Sequence, residues 1–390
     1  MGRGLRSCAA WVALSAALNA PGVSADDGED NSIYLEEVTI IGTRDQTQRI
    51  TGSAHLIDAD DLDRFAHADV QRIVRQVPGV SIQVEDGYGL RPNISIRGVA
   101  TERSGRITLL EDNVLIAPAP YSAPSAYYFP TVGRMAAFEV LKGPAAVTQG
   151  PYTIGGAFNM ISTPIPAEPR GHVVAEAGEN ATYRLHATYG ATTDDGFGFL
   201  VETHQWQSDG FQAIDRSSRD TGLDVDDYTV KLAYAPVDSG HSFELKLQKA
   251  KQNSNQSYLG LTDDDFARNA TRRYGLSALD TIHTDHEQAI LRYEYAWSDA
   301  TALSATVYNN EHVRDWFKTE GIDFDGSPDA ESFSRTSWAN VIAAINTGVS
   351  IGDIPAAELQ SILEGTTDTP DGSIQIRSNS REYFLSLIHI

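Results

Sequence analysis

Two hydrophobic rhythms divide the chain. Up to about residue 164 the apolar residues come in short, nearly unbroken runs; beyond about residue 170 they alternate with polar ones. In the first part, the runs at 138–141 and 157–161 read as buried strands. Between them lie Gly143-Pro144, Gly150-Pro151 and Gly155-Gly156, the punctuation of tight turns. Asp58 and Asp60 are placed to cap a short helix. Asp69 is placed to cap a second, in which Val70, Ile73, Val74 and Val77 fall on one face before Pro78-Gly79 stops it. Residues 80–84 alternate as a strand, and residues 108–116 read as another with Asp112-Asn113 at its turn. Residues 117–130 carry prolines among Tyr121, Tyr127, Tyr128 and Phe129, which excludes a central strand and predicts a loop.

In the second part the period is two. Tyr183, Leu185, Ala187 and Tyr189 form one set. Tyr228, Val230, Leu232 and Tyr234 form the next, followed by Phe243, Leu245 and Leu247. Ala289, Leu291, Tyr293, Tyr295 and Trp297 make a fourth, and Leu303, Ala305 and Val307 a fifth. Alternating segments of about ten residues with aromatic ends suit a transmembrane barrel, although a soluble sandwich has the same period. Loop lengths favour the barrel: short turns at 194–196, 236–240 and 298–299 alternate with long polar stretches at 207–226, 252–285 and 313–380. Within the last, residues 337–346 and 354–365 read as short amphipathic helices expected over the barrel mouth.

The chain has 390 residues and a net charge of −23, which leaves no basic stripe for nucleic acid. Arg3 and Arg6, an apolar stretch at 8–18 and Val23-Ser24-Ala25 read as a cleaved secretory signal over residues 1–25. Beyond it no apolar run reaches about 18 residues, so no spanning helix is expected. Cys8, the one cysteine, would leave with the signal. His283, Asp285 and His286, or Asp263, Asp264 and Asp265, are weak candidates for metal. No phosphate loop, Gly-x-Ser-x-Gly or His-Glu-x-x-His appears, which argues against an enzyme.

The wording of several stretches is more specific than their physics. Glu139-Val-Leu-Lys-Gly-Pro-Ala-Ala, Ile94-Ser-Ile-Arg-Gly98, Val77-Pro-Gly-Val80 and the turn at Asp112 resemble the plug domain of TonB-dependent outer-membrane receptors. The stretch 258–267 with Arg272 and Arg273, residues 374–383 and the apex at 117–121 are similar to the ferric-citrate and ferric-siderophore subgroup. The fold class implied is an α+β plug domain at 50–166, followed over 167–390 by part of an antiparallel transmembrane β-barrel with long extracellular loops. About eight strands would be present of the roughly 22 that enclose a plugged lumen, so the chain reads as C-terminally truncated.

The resemblance also implies sites. Within the N-terminal extension at 26–49, residues 35–43 resemble a TonB box. Glu36, Glu37, Val38, Thr39, Ile40 and Ile41 would then add as a strand to TonB, which works with ExbB-ExbD. A signalling domain ahead of the box is not expected. An anionic ferric chelate would meet Arg91, Arg103, Arg106, Tyr121, Tyr127 and Tyr128 on the plug and Arg272 and Arg273 in a loop. Arg97 and Lys142 would lock plug to barrel carboxylates. The expectation is an importer in the outer membrane of a Gram-negative bacterium, in contact with lipid and lipopolysaccharide. It would hold no cofactor besides the iron of its ligand. Haem, cobalamin or an oligosaccharide would use the same architecture, and a non-transporting binding protein is the remaining alternative.

Overall fold

The computed structural model describes residues 39–41, 43–65, 69–116, 128–150, 152–257, 259–298, 301–323, 336–368 and 373–389. In the first half, strand β1 (Ser53–Ile57) and helices α1 (Ala59–Phe65) and α2 (Val70–Val74) lead into a hairpin of β2 (Val80–Gln83) and β3 (Asn93–Ile96). Both expected caps form: Asp58 accepts the Asp61 N–H, and Asp69 accepts the Gln71 N–H at 2.8 Å. Strands β4 (Ile107–Glu111), β5 (Val114–Leu115), β6 (Met135–Lys142) and β7 (Gly156–Ser162) join β1 in a sheet of order β1-β6-β7-β4-β5.

Both faces of that sheet are covered, which is why β6 and β7 read as runs and not as alternation. Ile107, Leu109, Phe138, Val140, Phe158 and Met160 pack on one side with Ile73 and Val74 of α2. Leu110, Leu141 and Ala157 face the other side with Ile41 and Ala146. Gly156, at φ +148°, lets β7 close on β6: a Cβ there would lie 2.1 Å from the Leu141 carbonyl oxygen.

The second half is a meander. Strands β8 (Arg170–Gly178), β9 (Thr182–Thr192), β10 (Phe197–Ser208), β12 (Leu223–Tyr234), β13 (His241–Ser254), β15 (Thr281–Ser298), β16 (Thr301–Asp323) and β18 (Ser373–His389) pair antiparallel, each with the next long strand. Two-residue strands β11 (Ala213–Ile214), β14 (Arg272–Arg273) and β17 (Thr336–Ser337) tie loops together or extend the sheet. The sheet is open, with β8 and β18 at its edges among the described residues.

Its two faces differ as the alternation predicts. Tyr228, Val230, Leu232, Tyr234, Phe243, Leu247, Leu291 and Leu303 are exposed on the outer face. The inner face buries Glu202, Asp227, Lys231, Lys246, Gln248 and Arg292. The strands run further than the sequence boundaries placed them. β13 continues to Ser254 and β16 covers 23 residues to Asp323, past 313 where the last loop was expected to begin. Polar residues such as Lys249, Lys251 and Glu287 continue the ladder beyond the apolar belt.

The long loops hold structure of their own. Helices α3 (Asp263–Arg268), α4 (Trp338–Thr347) and α5 (Ala356–Leu363) appear there, the last two where amphipathic helices were expected. Leu259, Tyr274, Trp338, Val341, Leu359 and Leu363 bury one another in a separate apolar cluster.

Candidate functional site

The inward polar positions of the strands meet the first domain along a buried seam. The β4–β5 hairpin turns at Asp112 and Asn113, both at positive φ, and so places Glu111 and Asp112 side by side against the wall. Lys246 of β13 reaches both, 2.5 Å from Glu111 Oε1 and 2.7 Å from Asp112 Oδ2. Arg134 contacts Glu111 at 2.7 Å and Asp227 of β12 at 2.8 Å. All five side chains are 0 % exposed. Arg292 of β15 donates to the Asp112 carbonyl and pairs with Glu244 at 3.2 Å. Thr163 donates to Glu202 at 2.6 Å, and Asn310 donates to the Leu115 carbonyl at 2.9 Å. Gly133 presses on the wall: a Cβ there would fall 2.2 Å from His204 Nε2.

Burial would raise the Glu111 carboxyl, but the Arg134 guanidinium and Lys246 ammonium outweigh it and hold the group below the usual carboxylate range. Asp112 is likewise held below that range against the same burial, by Lys246, Lys231 and Arg292. Glu111 and Asp112 are therefore held ionised away from water. Removing one member of such a network strands the others.

Above the seam, toward the long loops, lies a narrow cleft between domain and wall. Tyr88, Leu90, Tyr128 and Phe129 line one side, and His204 and Trp206 the other. Tyr128 is buried. Its ring stacks on His286 with centroids 3.6 Å apart and 14° from parallel, and its hydroxyl accepts from Gln248. Tyr88 meets Trp206 edge-on at 5.7 Å. Asp86 shapes this rim by accepting the N–H groups of Tyr88, Gly89, Leu90 and Arg91.

Of the residues expected to face ligand, Tyr128 alone lines the cleft; Tyr121 and Tyr127 lie outside the described residues. Arg91 is buried and donates to Gln256. Burial pulls it down to about 10, so it remains cationic at neutral pH, and its Nη2 has no hydrogen-bond partner among the described residues. Arg103 is paired with Glu85 through both guanidinium nitrogens, and Arg106 is exposed.

Arg272 and Arg273 hold loops together. Arg272 pairs with Asp215, Asp265 and Glu364, while Arg273 is buried on Ser277 and the Asn255 carbonyl. A loop cluster with its own core needs internal partners for its cations, and these two supply them.

The lock expected at Arg97 and Lys142 is not where the strands engage. Lys142 donates to the Pro78 carbonyl in the same domain and Arg97 is exposed, so neither meets a carboxylate of the described strands. Arg134, Lys246 and Arg292 make the contact instead. The inward register of 244, 246 and 248 was readable; the partners of Lys246, more than a hundred residues away, were not.

Of the TonB-box residues, Glu36, Glu37 and Val38 lie outside the described residues. The N–H groups of Ile40 and Ile41 donate to the buried Glu139 carboxylate, each at 2.8 Å. The weak metal candidates come apart. His283 bonds Asn253 on the outer face while His286 stacks inward, and Asp265 is buried at the start of α3, accepting from Tyr274. No group of metal-binding residues assembles among the described residues.

A family model described as the TonB-dependent Receptor Plug Domain matches residues 46–157. These residues match the plug domain of TonB-dependent receptors. The strands beyond it match too. The unliganded ferric citrate transporter FecA superposes with a TM-score of 0.60 at 22% identity, over 71% of this chain and 42% of that one. The ferric yersiniabactin uptake receptor FyuA of Yersinia pestis gives 0.58 at 19%, over 70% and 42%. At these identities the likeness shows the fold: a plug domain seated against part of an antiparallel barrel wall.

Among curated relatives, the ferric enterobactin receptor of Pseudomonas aeruginosa is 27% identical, over 48% of this chain and 26% of its own. The vitamin B12 transporter of Photobacterium profundum is 24% identical, over 49% and 30%. That of Vibrio vulnificus is 23% identical, over 78% and 46%. The chain thus spans less than half the length of these relatives.

Proposed function

We propose that this chain is the plug and first wall of an outer-membrane receptor that imports a ferric chelate, energised by TonB pulling on the segment at 35–43. The observation that carries the reading is the seam. A domain sealed into a lumen by buried ion pairs blocks passage until it is displaced, and an outer membrane offers no nucleotide to drive that step. Exposed Tyr, Phe and Leu on the outer face of the strands support the placement in lipid. Lipopolysaccharide would meet the polar zone above them.

The chelate would dock in the cleft above the seam. Its aromatic lining, and the internal pairing of Arg103, Arg272 and Arg273, favour a siderophore with aryl or neutral surface over a compact anion such as ferric dicitrate. Cobalamin is the second reading, favoured by the same lining.

Two measurements on the whole protein test this. Titration with ferric dicitrate, two unrelated ferric siderophores and cobalamin, followed by Tyr and Trp fluorescence, should show saturable binding of one siderophore, weakened by Tyr88→Ala. Cobalamin binding alone would move the reading to the second ligand. Deleting residues 36–41 should abolish uptake and leave binding intact; unchanged uptake would remove the energised importer.

A further inference from the structure

Glu139 sits in the middle of β6, between β1 and β7, and is 0 % exposed. A carboxylate there needs donors, and it draws two of them from outside the sheet and one from its neighbour strand β7. Oε1 accepts the Ile41 N–H and Oε2 the Ile40 N–H, both at 2.8 Å; Oε2 also accepts from Asn159 Nδ2 at 2.9 Å. Two consecutive N–H groups meeting one carboxylate is incompatible with an extended strand, whose successive N–H groups point to opposite sides. The Ile41 side chain is buried as well, beside Leu110, Leu141, Ala146 and Ala157.

The chain of contacts continues. Asn159 Oδ1 accepts the Asn113 N–H at 2.9 Å, and Asn113 follows Asp112, the residue held by Lys246. A hydrogen-bonded path thus runs from Ile40 and Ile41 through Glu139 and Asn159 to the turn that seats the plug on the wall.

We propose that Glu139 is the coupling residue of the plug. Ile40 and Ile41 are the anchor of the docking segment and not part of its docking strand, and tension applied ahead of them reaches the Asp112–Asn113 turn through Glu139 and Asn159. This rests on the importer reading, but its first test does not. Amide exchange on the purified whole protein should show Ile40 and Ile41 protected. Glu139→Gln should speed their exchange about 10-fold or more, since it removes a charged acceptor, while β7 stays protected. Ile40→Pro, which leaves the sheet untouched, should release Ile41 in the same way. Unchanged exchange in both variants would overturn the anchor.

Pulling single molecules by an N-terminal handle completes the test. The proposal requires Glu139→Gln to lower the load at which the plug first yields; the wild-type load in that variant would overturn the coupling path. In cells, Glu139→Gln should cut uptake with ligand binding retained. Deletion of residues 36–39, which leaves Ile40 and Ile41 in place, reports separately on the importer reading, so the two can fail independently.

Discussion

The seam and the loop cluster are both buried, and they are held by opposite means. The seam between plug and wall is built from ions: Arg134, Lys246 and Arg292 against Glu111, Asp112 and Asp227. The loop cluster is built from Trp338, Val341, Leu359 and Leu363, with its ion pairs at the margin. An apolar core gains from burial at every stage of assembly. An ionic seam gains little, because desolvation offsets most of the attraction, but it holds one arrangement and fails abruptly when one partner goes. The first suits a cap that keeps its shape. The second suits a joint that must hold and then release.

The largest expected effect is at Arg134. Arg134→Ala removes the salt-bridge partner of Asp227 and halves the cations on Glu111, so it should cost about 3–5 kcal/mol of plug seating, read by chemical unfolding in detergent. In the cap, Leu359→Ala should cost about 2–5 kcal/mol locally. Limited proteolysis should then cut within 336–368 while the strands stay intact. If both variants melt the whole molecule together, the contrast between joint and cap is wrong.

Acid separates the regions next. Glu111 and Asp112 have lowered pKa values in the folded state, so their contribution is full above about pH 4 and is lost as pH falls through the lower folded values. The plug should stay seated at pH 5 and loosen only in stronger acid, read by exchange at the 112–113 turn, while the apolar cap core changes little. The smallest effect is Arg272→Ala, below about 1 kcal/mol by thermal unfolding. Its pairs with Asp215 and Glu364 are partly exposed, and the buried Asp265 keeps Arg268, Tyr274 and Gln360 when Arg272 goes, unlike the partners of Arg134.

Much of this was legible from residue pattern. The Asp69 cap, the runs of β6 and β7, the turn at Asp112-Asn113 and the inward polar register of β13 follow from periods and turn chemistry. What pattern cannot supply is pairing at a distance. Lys246 was visibly inward, yet its partner Glu111 lies 135 residues away and only the closed fold joins them. Arg272 and Arg273 show the same limit. Arginines in a polar loop read as free to meet an anion, and a loop that folds on its own core uses them internally. Glu139 hid inside an apolar run, where a lone carboxylate is itself the signal: such a group is retained only with donors brought to it.

The length of β16 reaches further than its pairing. Crossing the hydrocarbon takes about 9–11 residues of tilted strand, and β16 has 23. Its outward side chains change from Leu303, Ala305 and Val307 to Asn309, Glu311 and Asp315. In an outer membrane the wall would therefore stand above the bilayer as a parapet, at the end that leads into α4 and α5. An antibody or a phage tail arriving at the cell would touch this raised rim before any lipid, and the rim, not the conduit, would carry the serological identity of the molecule.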